Sequence, residues 1–564
     1  MFYLGFDHDR TTLNLFLCHL LSTWNARSYE FASVLFTAAA FPEGLSAASW
    51  IGITTSLALI LFASSLGRWI DHAPSRLRTL LTTVTVNRIV VILACCCWVV
   101  IIAQDGHKDT TSPSDPSASV DQPRPLSVGE FKDTIFLVIL ALGVIERLSR
   151  LANLISIERD WVPTLATAVE SDKEPPPYDL THLNAVMSRI DLICKLGAPI
   201  VMSMFMSATK SSRLGAVAMI ALNFVSWPLE YWTAQTCWQD STRLQKEKAE
   251  VPTACAEAGV SKDIELEKSA EYPRLWASLY NVVGRFSSWI RQYGWSLKFY
   301  FATDIWMASL AITGLHFSIL VFSGTLTVFL VNSGFSLKLV TWAEIFSAIF
   351  ELGSTYVFPL GVRLLATQRT SYQALRPVSV HSPPVSPSPL TCETMDESQL
   401  CNEPPLHDEH RRGVSTLGMW ALAFLLICLI PTVPSIWQVS TQWPRIDLGS
   451  NSLDEQDSVW KTHRLVVICI IFFISASRLG RWTASLCGQQ LAQSCVQPEE
   501  RSMFAGTEAS LASTFGLGHW VTTLIWNKHQ EFHWIAVSSF LVTLCSTSLY
   551  AFWLLGPTGR RRSS

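Results

Sequence analysis

Charged residues standing inside otherwise apolar stretches are the first places where this chain could do chemistry. Glu146, Arg147 and Arg150 share one such stretch, Arg189 and Asp191 another, and Arg478 and Arg481 a third. An unpaired charge in hydrocarbon is costly, so these residues are expected to form internal ion pairs with a structural or gating role. Glu344 and Glu351 lie seven apart on one helical face, and with Asp304 and His316 they could line a path for a cation or a proton. In the run Gly67-Arg68-Trp69-Ile70-Asp71-His72-Ala73-Pro74-Ser75-Arg76-Leu77-Arg78, a carboxylate at a helix end is followed closely by basic residues. Asp71 could pair with an arginine of a neighbouring span and lock one conformation, although the run also reads as a basic membrane anchor. Two further patterns look metal-like. His529-Gln530-Glu531-Phe532-His533 spaces two histidines by four, but its glutamate is not at the HExxH position, so interfacial hydrogen bonding is the expectation. His407-Asp408-Glu409-His410 falls in a polar loop and reads as a solvated charge cluster, with cytosolic metal capture as the sharper alternative. No GxxxxGK[ST] loop and no Ser/His/Asp or HExxH arrangement is present, so neither ATP-driven pumping nor enzyme activity is expected.

The elements that carry these residues follow from composition. The chain has 564 residues, 49% hydrophobic and only 15% charged, with a mean hydropathy of +0.28, which excludes an ordinary soluble enzyme. About twelve windows are long and apolar enough to cross a bilayer. They begin near Leu13, Ser49, Leu80, Thr134, Asn184 and Gly215, then near Leu297, Leu339, Leu417, Arg464, Ala505 and His533. Counting Lys and Arg by alternate loops places roughly 27 on the side of both termini and roughly 10 on the other, so both ends are expected in the cytoplasm. Net charge is -3, which gives no basic excess for nucleic acid. The 14 Cys are scattered through apolar segments, a distribution of reduced packing residues and not of a disulfide or zinc framework. The N-terminal stretch lacks the layout of a cleaved signal, so the first helix is expected to be retained.

Arg147-Leu148-Ser149-Arg150 in the fourth span returns as Arg478-Leu479-Gly480-Arg481 in the tenth, and Glu158-Arg159 and Glu500-Arg501 follow each. This echo divides the chain into a six-helix lobe over 1–235, an inter-lobe loop over 236–296 and a second six-helix lobe over 297–556. Within the second lobe, 369–412 contains HSPPVSPSPL and reads as disordered, and 557–564 is a basic tail. Asp105 to Lys132 reads as a flexible loop on the opposite face. The expected fold is therefore an all-α integral membrane protein whose two parallel repeats resemble the plan of major-facilitator transporters, and the Gly67–Arg78 turn resembles their loop motif.

Glu158-Arg159-Asp160-Trp161, Asn184-Ala185 with Arg189-Ile190-Asp191, and Leu21-Ser22-Thr23-Trp24 preceding Arg27 and Phe31 closely resemble the ferroportin family of ferrous-iron exporters. The likeness is strongest from Leu13 to Gln235 and resumes from Phe299 to Leu554. It implies iron export by alternating access, with Arg159, Asp160, Arg189, Asp191 and Asp71 governing the cytoplasmic gate. The family's first metal pair, Asp and His four apart in span one, falls here on Ala26 and Glu30. Glu30 remains a good oxygen ligand, and Asn25 could add a carbonyl. The polar group that holds calcium in animal members matches Asn87, Asn223 and Glu230, the last two on one helix face. In the second lobe the family uses a histidine, kept as His519, and a cysteine, replaced by Gly324 beside Ser323. Without that cysteine, regulation by the animal peptide hormone is not expected. The resemblance further implies a monomer with no cofactor beyond the possible calcium, in the plasma membrane or vacuolar membrane. Two rivals are a transporter of this fold carrying a metal chelate or organic cation, and a non-transporting membrane scaffold or receptor.

Overall fold

The computed structural model describes residues 10–41, 46–108, 128–166, 179–246, 274–318, 337–374, 406–442, 453–526 and 528–556, with scattered positions from 320 to 335. Ser323 and Gly324 lie outside the described residues, as do the PPVSPSP stretch, the tail and most of 105–132. Among the described residues there are twelve helices of 24 residues or more. They are α1 Arg10–Ala40, α2 Ser46–His72, α3 Arg76–Lys108, α4 Val128–Ile155, α5 Leu180–Thr209 and α6 Ser212–Asp240, then α7 Arg274–Ala302, α8 Leu337–Ala374, α9 Leu406–Gln442, α10 Leu453–Cys495, α11 Arg501–Ile525 and α12 Phe532–Leu555.

Eight of these, α2, α3, α5, α6, α8, α9, α10 and α12, are long and apolar enough to cross a membrane. Among the other four, α1 and α11 carry polar residues such as Arg27 and Glu30 or Glu508 and His519, and α7 is amphipathic and is followed by a short apolar helix, Trp306–Gly314. Local chemistry sets several boundaries. Asp179 caps α5 by accepting from the Thr181 amide, and Lys210 closes it in the left-handed region at φ 49°. Ser211 then caps α6 through the Leu214 amide, so two spans are joined by a two-residue link.

Two stretches expected to be loops are partly helical. The inter-lobe segment shortens because α6 runs to Asp240 and α7 already starts at Arg274. The polar loop near 369–412 is helical at both ends, so His407 to His410 stand on the first turn of α9. His410 there meets Thr181 Oγ1 at 3.1 Å and Gln490 Nε2 at 2.8 Å. His410 thus docks on α5 and α10 and has partners that a free loop lacks.

The first lobe packs α1 on α5 and α6, and α3 on α4 and α6, while the second packs α9 on α8, α10 and α12. Each lobe has its own apolar core. The lobes meet along two seams, α2 against α11 and α5 against α8. A side chain at Gly506 would run into the Ala63 carbonyl, and one at Gly67 into the Ser502 carbonyl, so the first seam is a backbone-to-backbone approach that requires glycine.

Candidate functional site

At the end of the molecule that carries the Gly67–Arg78 turn, the lobes are closed. Asp71, buried, accepts from the amides of Ser502 (3.1 Å) and Met503 (2.7 Å) at the start of α11. The residue at the cap position of α11, Glu500, supplies no side-chain cap. The cap is thus provided across the lobe boundary, and the carboxylate also meets the positive end of the helix dipole. Arg159 donates to Glu508 at 3.0 Å and to the Gln489 carbonyl at 3.0 Å. Gln493 bridges Asn184 at 2.6 Å and the Glu158 carbonyl at 2.6 Å. Ile70, Ala152, Ile155 and Ala505 fill the space between. A π-helical turn, Ser156–Trp161, presents Glu158 and Arg159 to the second lobe. Outside the spans, burial and the adjacent Glu499 hold the Glu500 carboxyl above its usual range.

Of the expected gate residues, Asp71, Arg159 and Arg189 reach across. Arg189 donates to Thr355 Oγ1 at 3.1 Å and lies over the Tyr356 ring. Asp191 and Asp160 differ from expectation, because each pairs with an arginine of its own lobe. Asp191 takes Arg27 at 3.0 Å through both oxygens, and Asp160 takes Arg76 at 2.9 Å. Asp71 binds backbone amides of the opposite lobe.

In the first lobe, Glu30 is 48% exposed yet held by Arg27 (3.2 Å) and Arg150 (2.8 Å). Asn25 Nδ2 donates to Leu21 O and Ser226 Oγ, which leaves Asn25 Oδ1 with no hydrogen-bond partner. Deeper in, Arg88 is 1% exposed and Glu230 0%. Arg88 donates to Glu230 Oε2 at 2.7 and 3.0 Å, to Asn223 Oδ1 at 3.1 Å and to Asn87 Oδ1 at 3.4 Å. The calcium expected on Asn87, Asn223 and Glu230 does not fit this arrangement. A guanidinium takes Glu230 Oε2 and the amide oxygens of Asn223 and Asn87, leaving Glu230 Oε1 without a hydrogen-bond partner, and it balances the one carboxylate, so a divalent ion beside it would leave buried positive charge uncompensated.

In the second lobe, Glu351 accepts from Arg478 at 2.5 Å and, across the α5–α8 seam, from Lys195 at 2.7 Å. Lys195 also lies 5.0 Å from the Trp482 ring centre. Glu344 is exposed on the outer face of α8. His316, exposed, bonds Thr313 O at 3.0 Å, and His519, half-buried, stands against the Phe317 main chain. His533 meets Ser440 Oγ at 3.3 Å, the interfacial contact expected of that turn. Among the described residues no three His, Cys, Asp or Glu side chains gather as a preformed metal site. Glu30 and His519 stand in separate lobes.

Reading the sequence alone missed Arg88, Lys195, Glu508 and Gln493. Arg88 had a signal, a lone arginine inside one of the most apolar spans and next to Asn87. Lys195 had another, one helical turn after Asp191 on α5. Gln493 had none, since its role exists only once α5 and α10 meet.

The sequence profile described as Ferroportin1 (FPN1) matches residues 9–376 and 408–543. Solute carrier family 40 member 1 of Oryza sativa subsp. japonica is 22% identical over 548 residues, covering 97% of this chain and 91% of that protein. Ferroportin of Homo sapiens is 21% identical over 543 residues, covering 92% and 86%. Among solved structures, a bacterial homologue of the iron transporter ferroportin in an outward-facing state shares the fold with a TM-score of 0.65 at 17% identity, covering 96% of this chain and 99% of that one. A major-facilitator proton:xylose symporter does so with 0.51 at 12% identity, covering 97% and 94%.

Proposed function

This chain belongs to the ferroportin family, and from that premise we propose that it exports Fe(II), or a related divalent metal, from the cytosol by alternating access. It is a multi-pass membrane protein of an iron-transporting family, and the profile match across both lobes is the observation that carries the reading. The closed end holds the turn between α2 and α3, and the basic loops and both termini share its side, so we place it in the cytosol. Export then requires the lobes to part there, which breaks the Asp71 cap, the Arg159–Glu508 pair and the Asn184–Gln493 bridge.

Glu30 is the first-lobe ligand in this reading, with Asn25 Oδ1 beside it on α1. A divalent cation competes with Arg27 and Arg150 for the Glu30 carboxylate. Arg27 also binds Asp191 on α5, which lines the second seam, so metal arrival at Glu30 is relayed to a lobe contact. His519 is the second-lobe ligand. The carrier works as a monomer in the plasma or vacuolar membrane, without a resident cofactor or peptide-hormone control.

The test is Fe(II) and Co(II) flux into proteoliposomes of purified protein, beside Glu30→Ala and His519→Ala. Saturable flux weakened by both substitutions supports the assignment, and absent flux from folded protein overturns it.

A further inference from the structure

Over its 29 residues α7 holds four basic side chains, Arg274, Arg285, Arg291 and Lys298, and no Asp or Glu. Its C-terminal part docks by one face, on which Trp289, Tyr293, Ser296 and Tyr300 recur at steps of three and four. The Trp289 ring stands 6.1 Å from that of Phe62 on α2. Tyr293 Oη lies 2.9 Å from Ser510 Oγ on α11, and the Tyr300 ring stacks on Phe504 of α11 at 4.9 Å. Arg68 of α2 donates to the Gln292 carbonyl at 3.0 Å and to Ser296 Oγ, and lies over the Trp295 ring. One face of α7 therefore holds both helices of the α2–α11 seam.

The opposite face is uncovered. Ile290 is 51% exposed, Trp295 43% and Phe301 44%, and Arg291 and Lys298 stand exposed among them with no acidic partner among the described residues. Such a face suits neither medium alone, because water would hydrate three large apolar side chains and hydrocarbon would strip two charges. The headgroup boundary satisfies both, since apolar groups enter the acyl edge while guanidinium and ammonium meet phosphate. With no Asp or Glu on the helix, nothing on it repels an anionic surface. A protein that wraps a basic amphipathic helix needs its whole circumference, and α7 has already committed one face to α2 and α11. We propose that the exposed face of α7 docks on the anionic lipid surface of the leaflet at the closed end. Arg291 and Lys298 bind phospholipid headgroups there, and Ile290, Trp295 and Phe301 enter the acyl boundary. The leaflet thus holds in place the helix that straps the seam. Lipid recognition of this kind is independent of the solute that the chain carries.

The test places purified full-length protein, with a fluorescent amino acid incorporated in place of exposed Ser287, in nanodiscs of mixed phosphatidylcholine and phosphatidylserine. Bromine quenchers near the glycerol end of the acyl chain are carried by one lipid or the other at equal mole fraction, so the two kinds of disc differ only in which headgroup bears them. Brominated phosphatidylserine is expected to quench about twofold or more above brominated phosphatidylcholine, a preference that salt weakens. The combined variant Arg291→Gln and Lys298→Gln, altered only at exposed positions, is expected to lose the preference while keeping the quenching by both lipids. Equal quenching by the two lipids in the unaltered protein overturns the proposal, as does a preference that survives in the variant. Quenching by neither lipid overturns it too, and saturable binding of calcium-loaded calmodulin that the same variant abolishes would then assign the face to a protein partner. Iron flux enters none of these readouts, so failure here leaves the transport reading standing.

Discussion

At the scale of single residues, Arg88 and Glu230 explain each other. Neither is tolerable alone in the centre of the first lobe, and together with Asn223 and Asn87 they form a neutral, hydrogen-bonded unit. Arg88→Met should cost about 3–5 kcal/mol because it strands a buried carboxylate. Arg88→Met combined with Glu230→Gln should recover most of that loss, as measured by thermal unfolding in detergent; additive losses would show that the two residues are independent. The same geometry predicts that millimolar calcium leaves the melting temperature where a chelator leaves it. A calcium-dependent rise that vanishes in Glu230→Gln would place a divalent ion at these oxygens after all. Residue types were legible in the sequence here, but their pairing was not. Asp191 could be seen to need a cation, yet nothing in its neighbourhood along the chain showed that Arg27, 164 residues earlier, would be the one.

At the scale of elements, the α2–α11 seam depends on two glycines more than on any side-chain contact. Gly506→Leu pushes against the Ala63 carbonyl and should pry the helices apart without disturbing either lobe's core. The expected outcome is faster thiol labelling of a cysteine introduced at Ser64, which is buried against Thr507 in the closed seam. Unchanged labelling would mean that the seam adapts. The helices themselves were largely readable, since apolar length is a local property, but the span expected from Leu297 is broken, with α7 ending at Ala302 and a short apolar helix, Trp306–Gly314, following it. Helix ends were less so. The extension of α7 back to Arg274 is a long amphipathic stretch and that of α9 back to Leu406 a polar one, and no hydropathy window registers either.

At the scale of the whole molecule, two lobes with separate cores are joined by a close helix seam, one small apolar cluster and polar contacts that can be exchanged for water. Such a boundary lets each lobe move as a unit. Arg159→Glu and Glu508→Arg should each shift the lobes towards the state open at the closed end described here. The double reversal should restore closure, a cycle readable by spin-label distances between α2 and α11. Failure of the double variant to recover would assign closure to the Asp71 cap and the glycine seam instead. The two-lobe plan was visible in the repeated arginine motif. The link between lobes through Lys195 and Glu351 was not, because it exists only once α5 and α8 meet.

The cap that Asp71 places on α11 also ties the carrier's cycle to hydration. When the lobes part, the amides of Ser502 and Met503 lose their acceptor and the freed carboxylate loses its donors, so solvent must take both places at once. A cap of this kind is worth about 0.5–2 kcal/mol, enough to hold the mouth shut most of the time yet small enough to be yielded at each turnover. Wetting of one helix end is thus a step of the cycle, and the activity of water becomes a control on how often the mouth opens.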